Sequence, residues 1–294
     1  MDEKDLLAER FQADRTHLKA VAYRMLGSLS EAEDAVQEAW FKLNRSDISD
    51  VQNLSGWLTT VVGRVCLDML RSRASRREDP LEYYVPDPVV RDGDGTRDPE
   101  EEALLTDSVG LALLVVLETL GPAERLAFVL HDMFAVSFDE IAPIVDRTPA
   151  ATRQLASRAR RRVQGAAPAP APDMTRQRQV VDAFMAASQG GDFEGLLAVL
   201  DPDVLLRADC GKVSALSKVI RGAEAVVNQA LTFARFRRAY RTVLINGTPG
   251  VLSYVDGQVA GLMAFTIVDD HIVEIQIIAE PERLAALGLP GLEG

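Results

Sequence analysis

A proline- and alanine-rich run, GAAPAPAP at residues 165–172, constrains the fold of this chain more than any other feature. Before it, apolar residues recur at the three- and four-residue spacing of helices. After it, residues 240–279 alternate like strands, with hairpin signals in the Asp-Gly and Asp-Asp pairs at 256–257 and 269–270. Because alternating prolines form an extended, semi-rigid spacer, we predict helical domains joined to a separate α+β domain.

A second division falls within the helical half. Residues 78–107 contain four prolines, the run DGDGTRD, and eleven acidic residues against two arginines. Such a composition is typical of a flexible acidic linker. The predicted organisation is therefore multidomain: two all-α domains at 1–77 and 108–164, linkers at 78–107 and 165–174, and an α+β domain at 175–288.

The composition excludes several classes of protein. No run of about 18 apolar residues occurs, and the acidic start MDEKDLLAERF does not fit a secretory signal, so we expect a cytoplasmic protein without membrane contact. Two distant cysteines and three distant histidines predict no disulfide framework, no metal site and no cofactor. A formal net charge of -12 argues against tight autonomous binding to nucleic acid.

Positive charge nevertheless concentrates in TPAATRQLASRARRRV, residues 148–163, with five arginines and no acidic residue. On a helix, one stripe is formed by Thr152, Leu155, Ala159 and Val163. The opposite face carries Arg153, Gln154, Ser157 and Arg161, with Arg158 and Arg160 beside it. The charge is therefore predicted to be one-sided.

The residues upstream predict a helix-turn-helix. Ser137 and Glu140 form a capping-box pattern, which starts a short helix. A tight turn follows at 146–148, where Asp146 tolerates a left-handed conformation and Thr148 caps the basic helix. Arginine and glutamine on such a helix can read base edges in the major groove. The alternative is a solvated basic helix in a bundle.

Two segments of the first domain suggest contacts of their own. In SLSEAEDAVQEAWFKLNR (28–45), Ser30 and Glu33 form another capping-box pattern, and Phe41 is predicted to lie exposed among carboxylates. An exposed aromatic there suits a protein–protein contact, or is incidental. In NLSGWLTTVVGRVCLDMLRSRASRR (53–77), a tryptophan and a run of arginines suit single-stranded DNA. Compensation of the helix dipole explains part of that charge.

Taken together, these pieces resemble the extracytoplasmic-function (ECF) sigma factors of bacterial RNA polymerase. The resemblance is carried by SEAEDAVQEAWFKL, GWLTTVVGRVCLDMLRSR and LGPAERLAFVLHDMFAVSFDEIA, followed by the basic helix, and covers residues 1–164. It implies a factor that binds core RNA polymerase and directs promoter-specific transcription initiation. The partners implied are the polymerase clamp, duplex promoter DNA at −35 and the opened strand at −10.

The resemblance also assigns roles to individual residues. Polymerase binding falls to Asp34, Gln37, Glu38 and Phe41. Reading of −10 falls to Trp57, Arg64, Asp68, Arg71 and Arg73. Reading of −35 falls to Arg147, Thr148, Arg153, Gln154, Ser157, Arg158 and Arg161. The acidic linker is expected to thread toward the polymerase interior.

The C-terminal part looks like a SnoaL-like domain of the NTF2-like fold, a curved sheet with helices forming a cone. A SigJ-like subgroup of the sigma factors carries this extension. Its glycine-rich turn corresponds to Asp209, Cys210, Gly211 and Lys212, with a cysteine replacing one glycine. In the linker, YVPDP at 84–88 lacks the subgroup's tryptophan, and Glu280 precedes Pro281 where asparagine is usual. The resemblance implies regulation in cis, through contact with the sigma domains and their linker.

Two other functions stay open from the sequence. The chain could be a helix-turn-helix regulator controlled by a ligand in the cone. It could also fuse DNA-binding helices to a SnoaL-type enzyme, if His271 paired with Asp203 or Asp209 for acid–base chemistry. A redox switch at Cys210 is a further option, although no nearby base is evident. Our expectation is a binding protein, not an enzyme.

Overall fold

The computed structural model describes residues 3–46, 51–75, 82–91, 110–166, 173–211, 215–234 and 238–289. The chain divides into two compact units. Unit 1 comprises Met1–Asp79, Arg97–Asp107 and Val116–Ala167, and unit 2 comprises Pro80–Thr96, Ser108–Val115 and Pro168–Gly294. Both predicted all-α domains thus contribute to unit 1, whereas the α+β domain is the bulk of unit 2.

Helices make up the described part of unit 1. The first three are α1 (Glu3–Leu26), α2 (Leu29–Leu43) and α3 (Leu54–Ser75). The chain passes from unit 2 to unit 1 within α4 (Leu111–Glu118). Unit 1 then continues with α5 (Pro122–Phe128), a π-helical turn (Val129–Met133), α6 (Phe138–Ile141) and α7 (Pro149–Ala166). None of the helices in the described residues is long and apolar enough to cross a membrane.

Close packing joins the two helical parts of unit 1. A Cβ placed on Gly63 of α3 would lie 3.0 Å from Leu130 Cδ1 and 3.4 Å from Leu126 Cδ1, so glycine permits this approach. The Arg125 side chain of α5 is 1% exposed, pairs with Glu118 at 2.8 Å, and donates from Nη2 to the Arg24 carbonyl at 3.2 Å. A buried guanidinium needs such partners, and they fix α5 against the end of α1.

The two capping boxes predicted from sequence have different outcomes. At α6 the Glu140 N–H donates to Ser137 Oγ at 3.3 Å and the Ser137 N–H donates to Glu140 Oε2 at 3.1 Å, which confirms the box. The box at Ser30 and Glu33 is wrong. Helix α2 begins at Leu29, one residue before Ser30, and its cap residue Ser28 makes no side-chain cap bond. Glu33 instead pairs with cations of α1, Arg15 and Lys19.

Unit 2 is built around a seven-stranded sheet. Its strands are β1 (Val90–Arg91), β2 (Leu200–Asp209), β3 (Lys218–Arg221), β4 (Ala239–Ile245), β5 (Thr248–Val255), β6 (Gln258–Val268) and β7 (His271–Ile278). Their order is β1-β4-β5-β6-β7-β2-β3. All neighbours pair antiparallel except β2 and β7, which are parallel.

In the described part of unit 2, the sheet is accompanied by α8 (Met174–Gly190), α9 (Phe193–Val199), α10 (Ala223–Ala234) and α11 (Pro281–Ala286). A buried apolar core joins α8, α9 and α10 to the sheet, and within it the rings of Phe184 and Phe265 meet edge to face at 5.4 Å. Both predicted hairpins form, with positive φ at 256–257 and 269–270. This mixed α/β arrangement is the predicted NTF2-like cone.

The linker predicted as flexible over 78–107 differs from the structure at residues 82–91, which belong to unit 2. Strand β1 pairs Val90 with Ile245 and Arg91 with Leu244 at the edge of β4. The Val89 N–H donates to Asn246 Oδ1 at 2.9 Å, and the Asn246 N–H donates to the Val89 carbonyl at 2.8 Å. The two-residue strand β1 forms because residues 244–246, far away in sequence, pair with it. The local composition of the linker gives no sign of that pairing. The rest of this linker lies outside the described residues.

Candidate nucleic-acid interfaces and linker tie

The helix-turn-helix is built as its sequence predicts. Asp146 in the turn has φ +56°, a conformation that aspartate tolerates and that reverses the chain between α6 and α7. Thr148 Oγ1 accepts a hydrogen bond from the Ala151 N–H at 3.2 Å, and Pro149 occupies the first helical position. The turn thereby starts α7 in a new direction after α6.

One face of α7 is buried and the other is exposed. Thr152, Ala156 and Ala159 are buried against the core. The exposed side chains are Arg153, Gln154, Ser157, Arg158, Arg161 and Arg162, and Arg147 and Thr148 of the preceding turn are exposed too. The structure therefore brings all the residues predicted to read −35 to one surface.

Acidic residues outside α7 neutralise part of its charge. Arg158 and Arg162 both pair with Glu124 at 2.9 Å, and Arg160 Nε donates to Asp132 at 2.8 Å. The sequence pattern missed these pairs because Glu124 and Asp132 belong to earlier segments. Arg153 and Arg161 of this helix have no ion-pair partner among the described residues, unlike Arg158, Arg160 and Arg162.

Arg153 has an aromatic support. Its guanidinium lies 5.2 Å from the ring centroid of Phe138, and that ring stacks on His131 with centroids 3.8 Å apart. His131 Nδ1 is in turn 2.9 Å from the Val136 carbonyl. A cation held over a ring keeps its charge while losing rotamer freedom, so Arg153 is prepositioned on the exposed face.

The predicted polymerase-binding residues share the outer face of α2. Asp34, Gln37, Glu38 and Phe41 are exposed, with 46% of Phe41 accessible. The opposite side of α2 is buried through Ala32, Ala35, Val36, Ala39 and Leu43. An exposed phenyl ring between carboxylates fits a protein contact surface.

Helix α3 presents most of the predicted −10 residues together. Arg64, Asp68 and Arg71 are exposed at a four- and three-residue spacing, which places them on one face, and Trp57 is half-buried at the helix start. Arg73 is different. Its guanidinium pairs with Glu31 of α2 and lies 3.5 Å from the Leu26 carbonyl. The structure thus uses Arg73 within the helical packing and does not bring it to the predicted −10 face.

A cavity of about 480 Å³ in unit 1 adjoins that face. Trp57 and Arg64 line one side, and Glu140, Pro143 and Ile144 of the helix-turn-helix line the other. Two predicted DNA-reading parts therefore border the same space, which the sequence did not indicate.

In unit 2, five residues join the linker to the sheet domain, and we call them the linker tie: Tyr84, Val85, Asp87, Asp209 and Arg283. The Arg283 guanidinium donates to Asp209 at 2.6 Å, to the Val85 carbonyl at 2.6 Å and to Asp87 at 2.8 Å, and lies 5.2 Å from the Tyr84 ring centroid. Burial lowers the pKa of Arg283, but Asp87 and Asp209 raise it more, so the net shift is upward. Asp209 also accepts from the buried Val85 N–H at 3.4 Å.

The predicted regulatory turn begins at the linker tie. Gly211 has φ +98°, a conformation that favours glycine, and a Cβ there would lie 2.9 Å from the end of the Glu280 side chain. The Cys210 N–H donates to Ser217 Oγ at 3.0 Å. Burial and the neighbouring Asp209 charge raise the pKa of the Cys210 thiol, which argues against a reactive thiolate. Lys212, the last predicted residue of the turn, lies outside the described residues.

The pairing of His271 with Asp209 considered for catalysis does not form. His271 is exposed at the start of β7, with Nδ1 2.8 Å from the Asp269 carbonyl, and Asp209 is engaged by Arg283. Burial raises the pKa of Glu274, whose carboxylate lies 3.2 Å from Arg207 Nε. Asp209 and Glu274 therefore serve ion pairs instead of a proton-transfer pair with His271.

Comparison with known proteins identifies the family to which this chain is similar. Models of Sigma-70 region 2 and Sigma-70, region 4 match residues 11–76 and 110–163. The probable ECF RNA polymerase sigma factor SigI of Mycobacterium tuberculosis is 36% identical over 294 residues, covering 98% of each chain. The ECF RNA polymerase sigma factor SigJ of that organism is 39% identical over 288 residues, covering 93% of this chain and 91% of SigJ.

A solved structure supports the same family. The crystal structure of M. tuberculosis SigJ matches with a TM-score of 0.74 at 34% identity, covering 95% of this chain and 98% of SigJ. Helical parts carrying a helix-turn-helix, joined to a cone-shaped α+β domain, define a sigma factor with a C-terminal extension. The chain belongs to the ECF RNA polymerase sigma factor family.

Proposed function

We propose that this sigma factor binds core RNA polymerase through the outer face of α2 and reads promoters with α3 and α7. On α7, Arg153, Gln154, Ser157 and Arg161 contact duplex DNA at −35, flanked by Arg147, Thr148 and Arg158. On α3, Trp57, Arg64, Asp68 and Arg71 contact the opened −10 strand. The observation that carries this assignment is the one-sided exposure of α7, whose polar and basic side chains share a single surface behind a short turn.

The acidic balance of the chain supports an assisted mode of binding. Both SigI and SigJ are RNA polymerase sigma factors by name. With a net charge of -12, the free chain gains little from phosphate neutralisation away from its basic surfaces. Polymerase then supplies most of the affinity for promoter DNA, while Arg153 and its neighbours discriminate between promoter sequences.

The C-terminal domain regulates initiation in cis through the linker tie. Residues 82–91 belong to the segment that separates the −10 and −35 readers, and Arg283 binds the Val85 carbonyl and the Asp87 carboxylate within it. A restrained linker limits the separations that the two readers can reach. Because the domain is tethered to the chain it restrains, its effective concentration is high.

We also infer that this domain acts by binding and not by catalysis. The exposed position of His271 and the engagement of Asp209 by Arg283 support this inference. An apolar cavity within the cone favours a second function beside regulation: response to a ligand.

Run-off transcription on total genomic DNA tests the proposal. Core polymerase is used alone, with the full chain, and with the Arg283→Ala variant. We expect discrete new start sites with the full chain, and more transcript from the same sites when the linker is released. Arg176→Ala, which removes an exposed pair with Asp270 elsewhere in unit 2, is the matched control.

Each failure has a separate meaning. Absence of new start sites with the full chain would refute the initiation function. Faster hydrogen exchange at 82–91 in Arg283→Ala would show that the linker has been released. If the wild-type and variant chains then gave equal amounts of transcript, regulation through the linker tie would be refuted, and the initiation function would stand.

A further inference from the structure

The cone of unit 2 encloses a cavity of about 310 Å³. Its walls are mostly apolar and come from α8, α10 and strands β2 and β4 to β7, including Phe184, Met185, Val251, Leu262, Met263 and Ile275. This volume lies at the lower end of the range for small-molecule sites, about 300–1,000 Å³. At about 30 Å³ per water molecule, it corresponds to a ligand of roughly ten to fifteen non-hydrogen atoms.

A single arginine stands out in this apolar lining. Arg238 lines the cavity just before β4, and its Nε is shielded from solvent without a hydrogen-bond partner among the described residues. Leaving a buried donor of a charged group unsatisfied costs free energy. An acceptor brought by a ligand removes that cost.

The surroundings of Arg238 favour an anion. Lys218 donates from Nζ to Gln229 Oε1 at 2.9 Å, and Gln229 lines the cavity. Arg238 and Lys218 both act on the Cys210 thiol, lowering its pKa against the larger effects of burial and Asp209. Asp209 itself is engaged by Arg283 at 2.6 Å. Two cationic side chains, Arg238 and Lys218, therefore lie near the Cys210 end of the cavity.

We propose that this cavity binds a small organic acid, with its carboxylate against Arg238 and its apolar body among the aromatic and aliphatic side chains. A carboxylate matches a guanidinium in charge and geometry. A dianion such as a phosphate ester would bring a second negative charge into an apolar site, at a larger desolvation cost than a carboxylate.

The cavity and the linker tie meet at the end of β2. Cys210 lines the cavity, while the adjacent Asp209 binds Arg283. Ala279 lines the cavity too, and its N–H donates to the Asp209 carbonyl at 2.8 Å. Occupancy of the cavity therefore changes the hold on the linker. This last step rests on the proposed regulatory function, whereas the binding site does not.

Calorimetric titration of the full chain tests the site. The probes are decanoate, below its micelle concentration, and decanol, which has the same chain without the charge. We expect one decanoate per chain and at least about tenfold weaker binding of decanol, as for a lost charge-assisted bond. Arg238→Gln should weaken decanoate about tenfold and leave decanol unchanged.

Two further variants complete the test. Arg178→Gln removes the same charge from an exposed position on α8 and should change neither affinity. Ala230→Phe, which fills the cavity from α10, should abolish binding of both probes with an unchanged circular dichroism spectrum. Equal affinities of the wild-type chain for decanoate and decanol, undiminished decanoate affinity in Arg238→Gln, or no binding of either probe would each overturn the proposal.

The coupling has its own readout. Decanoate should change hydrogen exchange at residues 82–91 in the wild-type chain and not in Arg238→Gln. Binding without that change would refute the coupling and leave the site standing. The transcription assay with Arg283→Ala probes the linker tie without any ligand, so failure of regulation and failure of ligand binding are distinguishable.

Discussion

Among the arginines of α7, position relative to Glu124 and Asp132 decides which guanidinium groups pair with a carboxylate and which do not. Arg158, Arg160 and Arg162 have such partners, while Arg153 rests on the Phe138 ring. Net charge on a helix is therefore a poor guide to its contacts, because three of five arginines serve the packing of unit 1 as well.

Arg153→Ala should weaken discrimination of the −35 sequence by about 1–3 kcal/mol, since it removes a prepositioned base or phosphate contact. Arg162→Ala removes the same charge from the Glu124 pair and should have a smaller effect. Binding of the polymerase complex to promoters with a native or scrambled −35 element measures both. Equal losses of discrimination in the two variants would contradict the assigned reading face.

His17 makes the stability of unit 1 depend on pH. Its Nε2 lies 3.2 Å from Thr59 Oγ1, and its ring meets Phe134 edge to face at 5.3 Å. Burial lowers the pKa of His17; nearby Asp14 opposes this shift and Arg24 adds to it. The unfolded chain therefore takes up a proton near pH 6.5 that the native state resists, so stability is lost as pH falls below about 6.5.

Intrinsic fluorescence can follow this effect, because both tryptophans of the chain, Trp40 and Trp57, belong to unit 1. Urea unfolding at pH 7.5 and 5.5 should show a lower midpoint at the acidic pH in the wild-type chain. His17→Gln should reduce that difference while keeping a partner for Thr59. An undiminished pH difference in the variant would assign it to other groups.

At the scale of elements, two serines that look alike in sequence differ in what they stabilise. Ser137 closes the capping box of α6, whereas Ser30 lies inside the first turn of α2 and its Oγ contacts Ser28 Oγ at 3.1 Å. A local pattern names the residue types needed for a cap, but the position at which the helix starts decides whether the bonds form.

Ser137→Ala should destabilise α6 by about 1 kcal/mol, the usual cost of a lost cap, which speeds local hydrogen exchange roughly fivefold. Ser30→Ala should leave exchange in α2 nearly unchanged. Exchange measured by mass spectrometry on peptides from both helices compares them directly. A similar acceleration in the two variants would show that the side-chain cap at Ser137 contributes little.

The sequence predicted the elements whose causes are local. The hairpins at 256–257 and 269–270, the cap at Thr148 and the one-sided α7 follow from turn chemistry and periodicity. It missed β1, the buried Arg125–Glu118 pair and the Arg283 contacts, because each depends on a partner distant in sequence or on burial. It misassigned Arg73 because a basic helix end gives no sign that Glu31 lies within reach.

At the scale of the whole molecule, the net charge argues for dependence on polymerase. The net charge of -12 opposes approach to DNA, and the basic residues proposed to contact DNA are confined to α3, α7 and the turn before α7. The free chain should therefore bind a labelled −35 duplex weakly and lose that binding steeply as salt rises. Fluorescence anisotropy with and without core polymerase measures the difference. Comparable affinity without polymerase at physiological salt would contradict it.

Strand β1 also has a consequence for how the chain leaves the ribosome. Val89 and its partner Asn246 are 157 residues apart. At roughly 5–20 residues synthesised per second, the linker emerges about 8–30 s before the strand that holds it. Unit 1 can thus fold during synthesis while its linker has nothing to pair with. The pairing of β1 therefore forms only after β4 has been synthesised, and a chain that ends before β4 lacks it.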